Sequence, residues 1–159
     1  MSALREWLER LERGIAAVEA AIGGASDAEL DYAPAPDKWT ARQVMAHLAD
    51  AEMVGADRLR RVIAEDNPTL VVYDEKAWAA NLDYHRRSVS QALETFRHAR
   101  TANYELLKEL PEAVFARTGM HTKTGPISLG QLLEMFARHA EDHARQIERN
   151  REQFRQARR

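Results

Sequence analysis

The chain has no cysteine. That removes thiolate zinc sites, cysteine nucleophiles and any disulfide framework, and leaves nitrogen and oxygen donors for a metal. No apolar run approaches the roughly 18 residues that a membrane-spanning helix requires. The chain opens on an amphipathic segment carrying Glu6, Glu9 and Glu12, without the basic and apolar regions of a secretory signal, so the expected location is the cytoplasm. Aromatic residues make up only 7% of the sequence, and Trp7, Trp39, Trp78, Tyr73, Tyr84 and Phe136 follow no spacing that would stack nucleic-acid bases. An excess of one charge is missing as well. With 23 basic and 25 acidic residues the net charge is −2, which gives no footprint for nucleic acid or an anionic membrane. Arginines crowd the stretch from Arg145 to Arg159, but Glu148 and Glu152 interleave with them, as on a solvated helix end. Neither a phosphate-binding loop, a GxGxxG segment nor a nucleophile-elbow serine is present, so nucleotide chemistry and Ser–His–Asp hydrolysis have no support.

What remains is helical periodicity. A chain of 159 residues fits one domain, spanning 1–159, with a core large enough to need no metal or disulfide staple. A bound metal would therefore serve function. Leu4, Leu8, Leu11, Ile15, Val18 and Ile22 recur at spacings of four and three, one buried helical seam that Gly23-Gly24 ends. Thr40 and Gln43 read as a capping box opening a second helix that runs to Asn67-Pro68. A short helical piece around Asp74 to Ala80 precedes a long helix of about 27 residues ending at Pro111, with Val89, Leu93, Phe96, Leu107 and Leu110 on its buried side. Ser128 and Gln131 repeat the capping signature and start a final helix that continues into the tail. No segment alternates convincingly as a strand. Four long helices joined by long connections predict an all-α four-helix bundle whose neighbours need not all be antiparallel.

Histidines interrupt the apolar stripes of two of these helices. At 100° per residue, Leu132, Phe136, His139, Ala140, His143 and Ile147 share one side of the last helix. His47 lies in the stripe that contains Val44, Leu48, Ala51 and Leu59. Residues four apart stack on one helix face, so His139 and His143 can chelate one ion, with His47 as a third ligand from a neighbouring helix. Rival metal motifs fail on spacing. A zincin needs its glutamate directly after the first histidine, whereas Glu141 falls two positions after His139 and faces away. Di-iron bundles need Glu-x-x-His, and no histidine here has a glutamate three positions before it. Asp50, one turn from His47, is a candidate to orient an imidazole, the alternative being a surface carboxylate beside Arg42 or Arg58. Gln146, one turn after His143, is a candidate to hydrogen-bond a ligand, the alternative being a buried amide that ties two helices. His121 precedes the last helix by too many residues to reach His139 directly, and His85 and His98 are expected on the solvated surface.

The segments "DKWTARQVMAHLADAE", "FRHARTANYELLKELP" and "TGPISLGQLLEMFARHAEDHARQI" together resemble the DinB/YfiT family of metal-binding four-helix bundles, over residues 5 to 152. The resemblance rests on the combination of Trp39, the HLAD segment and HxxxHxxQI. It implies an up-down-down-up bundle and one divalent ion, commonly nickel or zinc, held at positions that map onto His47, His139 and His143. Relatives of this kind include thiol-dependent S-transferases, an isomerase and proteins described as hydrolases. The implied function is a metal-dependent enzyme activating a low-molecular-weight thiol or a water for attack on a small-molecule substrate. The alternative is a non-catalytic metal-binding module acting in stress response or through protein association. Self-association as a homodimer is left open, dimers being the commonest soluble oligomers.

Overall fold

Hydroxyl side chains set where the helices begin. In the computed structural model, which describes residues 3–159, Ser26 caps helix α2 (Asp27–Leu30), Thr40 caps α3 (Ala41–Ala64) and Ser128 caps α6 (Leu129–Gln156). Each hydroxyl accepts the backbone N–H three residues on. Glu29, Gln43 and Gln131 return the bond to the cap's own N–H, which satisfies two otherwise orphaned donors at each helix start. Helix α1 (Ala3–Ile22) buries Leu11, Val18 and Ile22 along the expected seam, and Gly24 leaves it at φ +65°.

The expected 27-residue helix is shorter than its periodicity suggested. Helix α4 (Glu75–Asn81) ends before Asp83, whose φ of 54° is left-handed and breaks the helical path; a single 3-10 turn over Tyr84–Arg86 follows. Ser88 then accepts the Gln91 N–H and starts α5 (Val89–Lys108) afresh. A small three-stranded sheet is also present: β1 (Thr69–Leu70) runs parallel to β2 (Thr118–His121), and β2 pairs antiparallel with β3 (Gly125–Ser128). Strands of two to four residues are too short to print an alternating pattern in the sequence. Gly119 lets this sheet close over the bundle end, since a Cβ there would lie 3.0 Å from Val62 and 3.1 Å from the Pro68 carbonyl.

Contacts fix the topology. Arg10 pairs with Glu141 and Arg151 donates to the Ala21 carbonyl, so α1 and α6 run the same way. Arg42 reaches the Arg87 carbonyl and Arg60 reaches Asn103, so α3 and α5 also run together. Asn150 donates to the Trp39 carbonyl while Phe136 packs on Gly55, so α3 and α6 run opposite ways. The result is the up-down-down-up bundle. Two apolar clusters form its core, one around Val18, Leu48, Phe96 and Ile147, the other around Leu11, Leu59, Leu107 and Phe136. A buried polar layer joins α3, α5 and α6. In it Arg100, with no exposed surface, donates to Glu52 Oε2 (2.7 and 3.1 Å) and to the Phe136 carbonyl (2.9 Å), and Asn103 donates to Glu52 Oε1 (3.0 Å). Gly14 on α1 makes room for that guanidinium, because a Cβ there would stand 2.5 Å from Nη1. Among the described residues no helix is long and apolar enough to cross a membrane.

Candidate metal centre

His139 and His143 sit one turn apart on α6, and the antiparallel approach of α3 brings His47 across from both. The Nε2 atoms of His47 and His139 lie 3.0 Å apart, and one ring nitrogen from each of the three residues falls within 4.8 Å of the others. Ring centroids are 4.5 to 5.0 Å apart in all three pairs.

Burial decides their charge. Loss of solvation pushes the His47 pKa down to about 4, with the neighbouring His143 adding to the effect and Asp50 opposing it. His139 is pushed down to about 2, again first by burial and then by the other two imidazoles and Arg100. Burial also lowers the pKa of His143, against the hydrogen bond to Gln146. All three are therefore neutral at pH 7, the form that offers a nitrogen lone pair to a metal. His143 Nδ1 donates to Gln146 Oε1 at 2.8 Å, which keeps its proton on Nδ1 and turns the Nε2 lone pair inward. His47 Nδ1 is buried with no partner, so Nε2 carries that ring's only polar contact. Neutral imidazoles converging without a carboxylate among them suit a borderline divalent ion such as nickel or zinc better than calcium or magnesium, which prefer oxygen. The residues present fit such an ion.

Asp50 lies elsewhere in the hydrogen-bond pattern. It is buried, accepts from the Tyr84 hydroxyl at 2.8 Å and pairs with Arg87 at 3.2 Å, and it bonds to no imidazole. Neither Arg42 nor Arg58 is its partner. The Tyr84 ring in turn meets Trp39, and Trp39 lies against His47 with centroids 5.1 Å apart, so Asp50 is linked to the His47 imidazole only through an aromatic wall. His121 is on β2, where its Nδ1 accepts the Lys123 and Thr124 N–H groups and shapes the hairpin turn. His85 and His98 are exposed beside Asp83 and Glu94.

A cavity of about 110 Å³ opens beside His139. Val54, Met135 and Phe136 supply apolar wall, Tyr73 adds an aromatic ring with a hydroxyl, and Arg58 and Glu75 supply charged groups that the sequence pattern did not place at the site. Tyr73 and Glu75 belong to the crossover between α3 and α5, at the start of the short helix α4, and the local helical pattern does not say that this piece folds back onto the histidines.

Comparison with known proteins places this geometry in a family. The sequence pattern of the DinB superfamily matches residues 10–147. An Oceanobacillus iheyensis protein named "Putative metal-dependent hydrolase OB0782" is 32% identical over 145 residues, covering 91% of this chain and 83% of that protein. The "Putative metal-dependent hydrolase YfiT" of Bacillus subtilis is 30% identical over 143 residues, or 89% of this chain and 80% of that one. The solved structure of YfiT superposes with a TM-score of 0.84 at 28% identity, covering 94% of this chain and 89% of that chain, and is described as an unusual four-helix bundle. A mycothiol-dependent maleylpyruvate isomerase shares the fold at a TM-score of 0.70 and 16% identity, over 90% of this chain and 60% of that one. With its bundle path and its sequence both matched, the chain belongs to the DinB superfamily.

Proposed function

We propose that the protein is a metal-dependent enzyme of small-molecule substrates, holding one divalent transition-metal ion, nickel or zinc, through His47, His139 and His143. The observation that carries this reading is the convergence of three buried, neutral imidazoles within 4.8 Å. Such an ion, when bound, supplies Lewis acidity that brings a water or a thiol to its nucleophilic form near neutral pH. The chain's own residues do the rest. Gln146 fixes the tautomer of His143, the Trp39 ring walls His47, and Phe136 with Met135 lines the cavity at His139 with apolar surface. No cysteine is available to attack, so the nucleophile comes from outside the chain, either as water, in a hydrolase-like reaction, or as a low-molecular-weight thiol, in transfer to an electrophile. The cavity favours catalysis over a closed metal-binding module, which needs no opening beside a ligand.

The test is activity across a panel of esters, amides and electrophiles, with and without added thiol. Turnover should vanish on chelation and return with metal. Dependence on thiol assigns a transferase, and turnover without it a hydrolase. A His47→Ala protein that has lost its metal and keeps full activity would overturn the reading.

A further inference from the structure

Arg58 differs from the other buried arginines, Arg100 and Arg151, and from the half-buried Arg42 and Arg87. Arg100 has Glu52, Arg87 has Asp50, Arg42 has Asp31 and Arg151 has Glu29 within ion-pair distance. Arg58 is only 8% exposed, yet among the described residues no carboxylate lies within 4.0 Å of it. Its one hydrogen bond goes from Nη2 to the Val71 carbonyl at 2.8 Å, and its Nε is buried without a partner. A buried cation without a paired carboxylate is costly, because one carbonyl hydrogen bond and the more distant charge of Asp57 offset only part of its lost hydration. The position of this one is informative: it lines the cavity that reaches His139.

Resting on the enzymatic reading above, we infer that the cavity beside His139 receives a substrate bearing an anionic oxygen group, and that Arg58 is the positioning residue that binds it. Guanidinium presents planar, paired donors that match a carboxylate, and with Nη2 on the Val71 carbonyl the Nε and Nη1 donors make no hydrogen bond to any described residue. Tyr73, which makes no hydrogen bond to any described residue, lines the same space and offers a hydroxyl to the same group. Burial and the nearby Glu75 raise the Tyr73 pKa to about 12, so the hydroxyl stays protonated and able to donate. Size and charge narrow the class. About 110 Å³ admits a group of a few heavy atoms, and Glu75 on the same wall opposes a second negative charge, so a monoanionic carboxylate fits better than a phosphate dianion. The reacting bond of such a substrate then lies on the His139 side, with the carboxylate anchored one cavity length away.

The probe is propanoate, with propanamide as its uncharged counterpart, titrated into the full-length protein as purified and again after chelation. The readout is the NMR resonance of the Arg58 Nε–H, assigned with Arg58→Lys. Propanoate should shift that resonance saturably in both states while propanamide does not, and Arg58→Gln should weaken propanoate binding about tenfold or more. An Arg58 resonance that stays fixed through the titration overturns the inference, as does an R58Q protein that binds propanoate within twofold of the original. The wild-type readout does not depend on how well the variant folds. A metal-loaded protein with a silent Arg58 refutes the anion site alone. A metal-free protein that never takes up an ion, but whose Arg58 responds, refutes the metal reading and leaves the anion site standing.

Discussion

Replacing Glu52 by Gln should destabilise the bundle severely although it changes one atom of the side chain. Glu52 is 2% exposed and accepts three bonds, two from Arg100 and one from Asn103. Arg100 already carries one unsatisfied nitrogen, Nη1, held where Gly14 leaves space for it. The amide introduced by Glu52→Gln would turn a donor toward either Arg100 or Asn103, both of which donate to Glu52, and would remove the one carboxylate that Arg100 pairs with among the described residues, where the guanidinium has no exposed surface. Breaking a buried pair in this way costs about 3–5 kcal/mol, a large share of the roughly 5–15 kcal/mol that holds a domain together. Urea unfolding followed by far-ultraviolet circular dichroism reads it directly, and the corresponding fall in Tm is on the order of 10 °C. Replacing both partners by apolar residues, E52L with R100M, should recover most of the loss, since no unpaired charge is left behind. A Glu52→Gln protein within about 1 kcal/mol of the original would refute the claim that this ion pair closes the polar layer.

Gly55→Ala should strain the wall of the histidine cavity, because a Cβ there would stand 2.6 Å from the Phe136 ring; a loss of about 1–3 kcal/mol in urea unfolding is expected, and an unchanged midpoint contradicts it. The metal-free protein should lose stability as pH falls from about 6.5 toward 4. His47 is pushed below its usual pKa by burial, so the unfolded chain takes up the proton first, and the stabilisation is whole above the unfolded pKa and declines as pH drops toward the folded one. Each such histidine contributes at most about 1.4 kcal/mol per pH unit, and equal urea midpoints at pH 7.5 and pH 5 would contradict the assignment.

Local chemistry is legible in the sequence, and distant pairing is not. The caps at Thr40 and Ser128 and the seam from Leu4 to Ile22 are read from neighbours along the chain, and the structure has them where expected. The histidines stand out because each interrupts an otherwise apolar stripe, and the family resemblance joins two helices that periodicity alone leaves unrelated. The start of α5 departs from the periodic pattern because Asp83 adopts a left-handed conformation that no period announces. The partner of Asp50 is a matter of tertiary approach: Arg87, 37 residues away, reaches it through the crossover. Arg58 is hidden for a different reason. It stands among Asp57, Arg60 and Arg61 next to the stripe residue Leu59, and charge type alone does not separate it from its exposed neighbours, whereas its own position on α3 is 8% exposed and lines the cavity.

The central claim is that His47, His139 and His143 hold one ion, and metal content measures it most directly. Protein purified without an affinity tag should contain close to one equivalent of a divalent transition metal by elemental analysis. His143→Ala should lose most of that metal yet unfold cooperatively, since the two apolar clusters do not depend on the ion. A content near zero that reconstitution with nickel or zinc fails to raise would contradict the account.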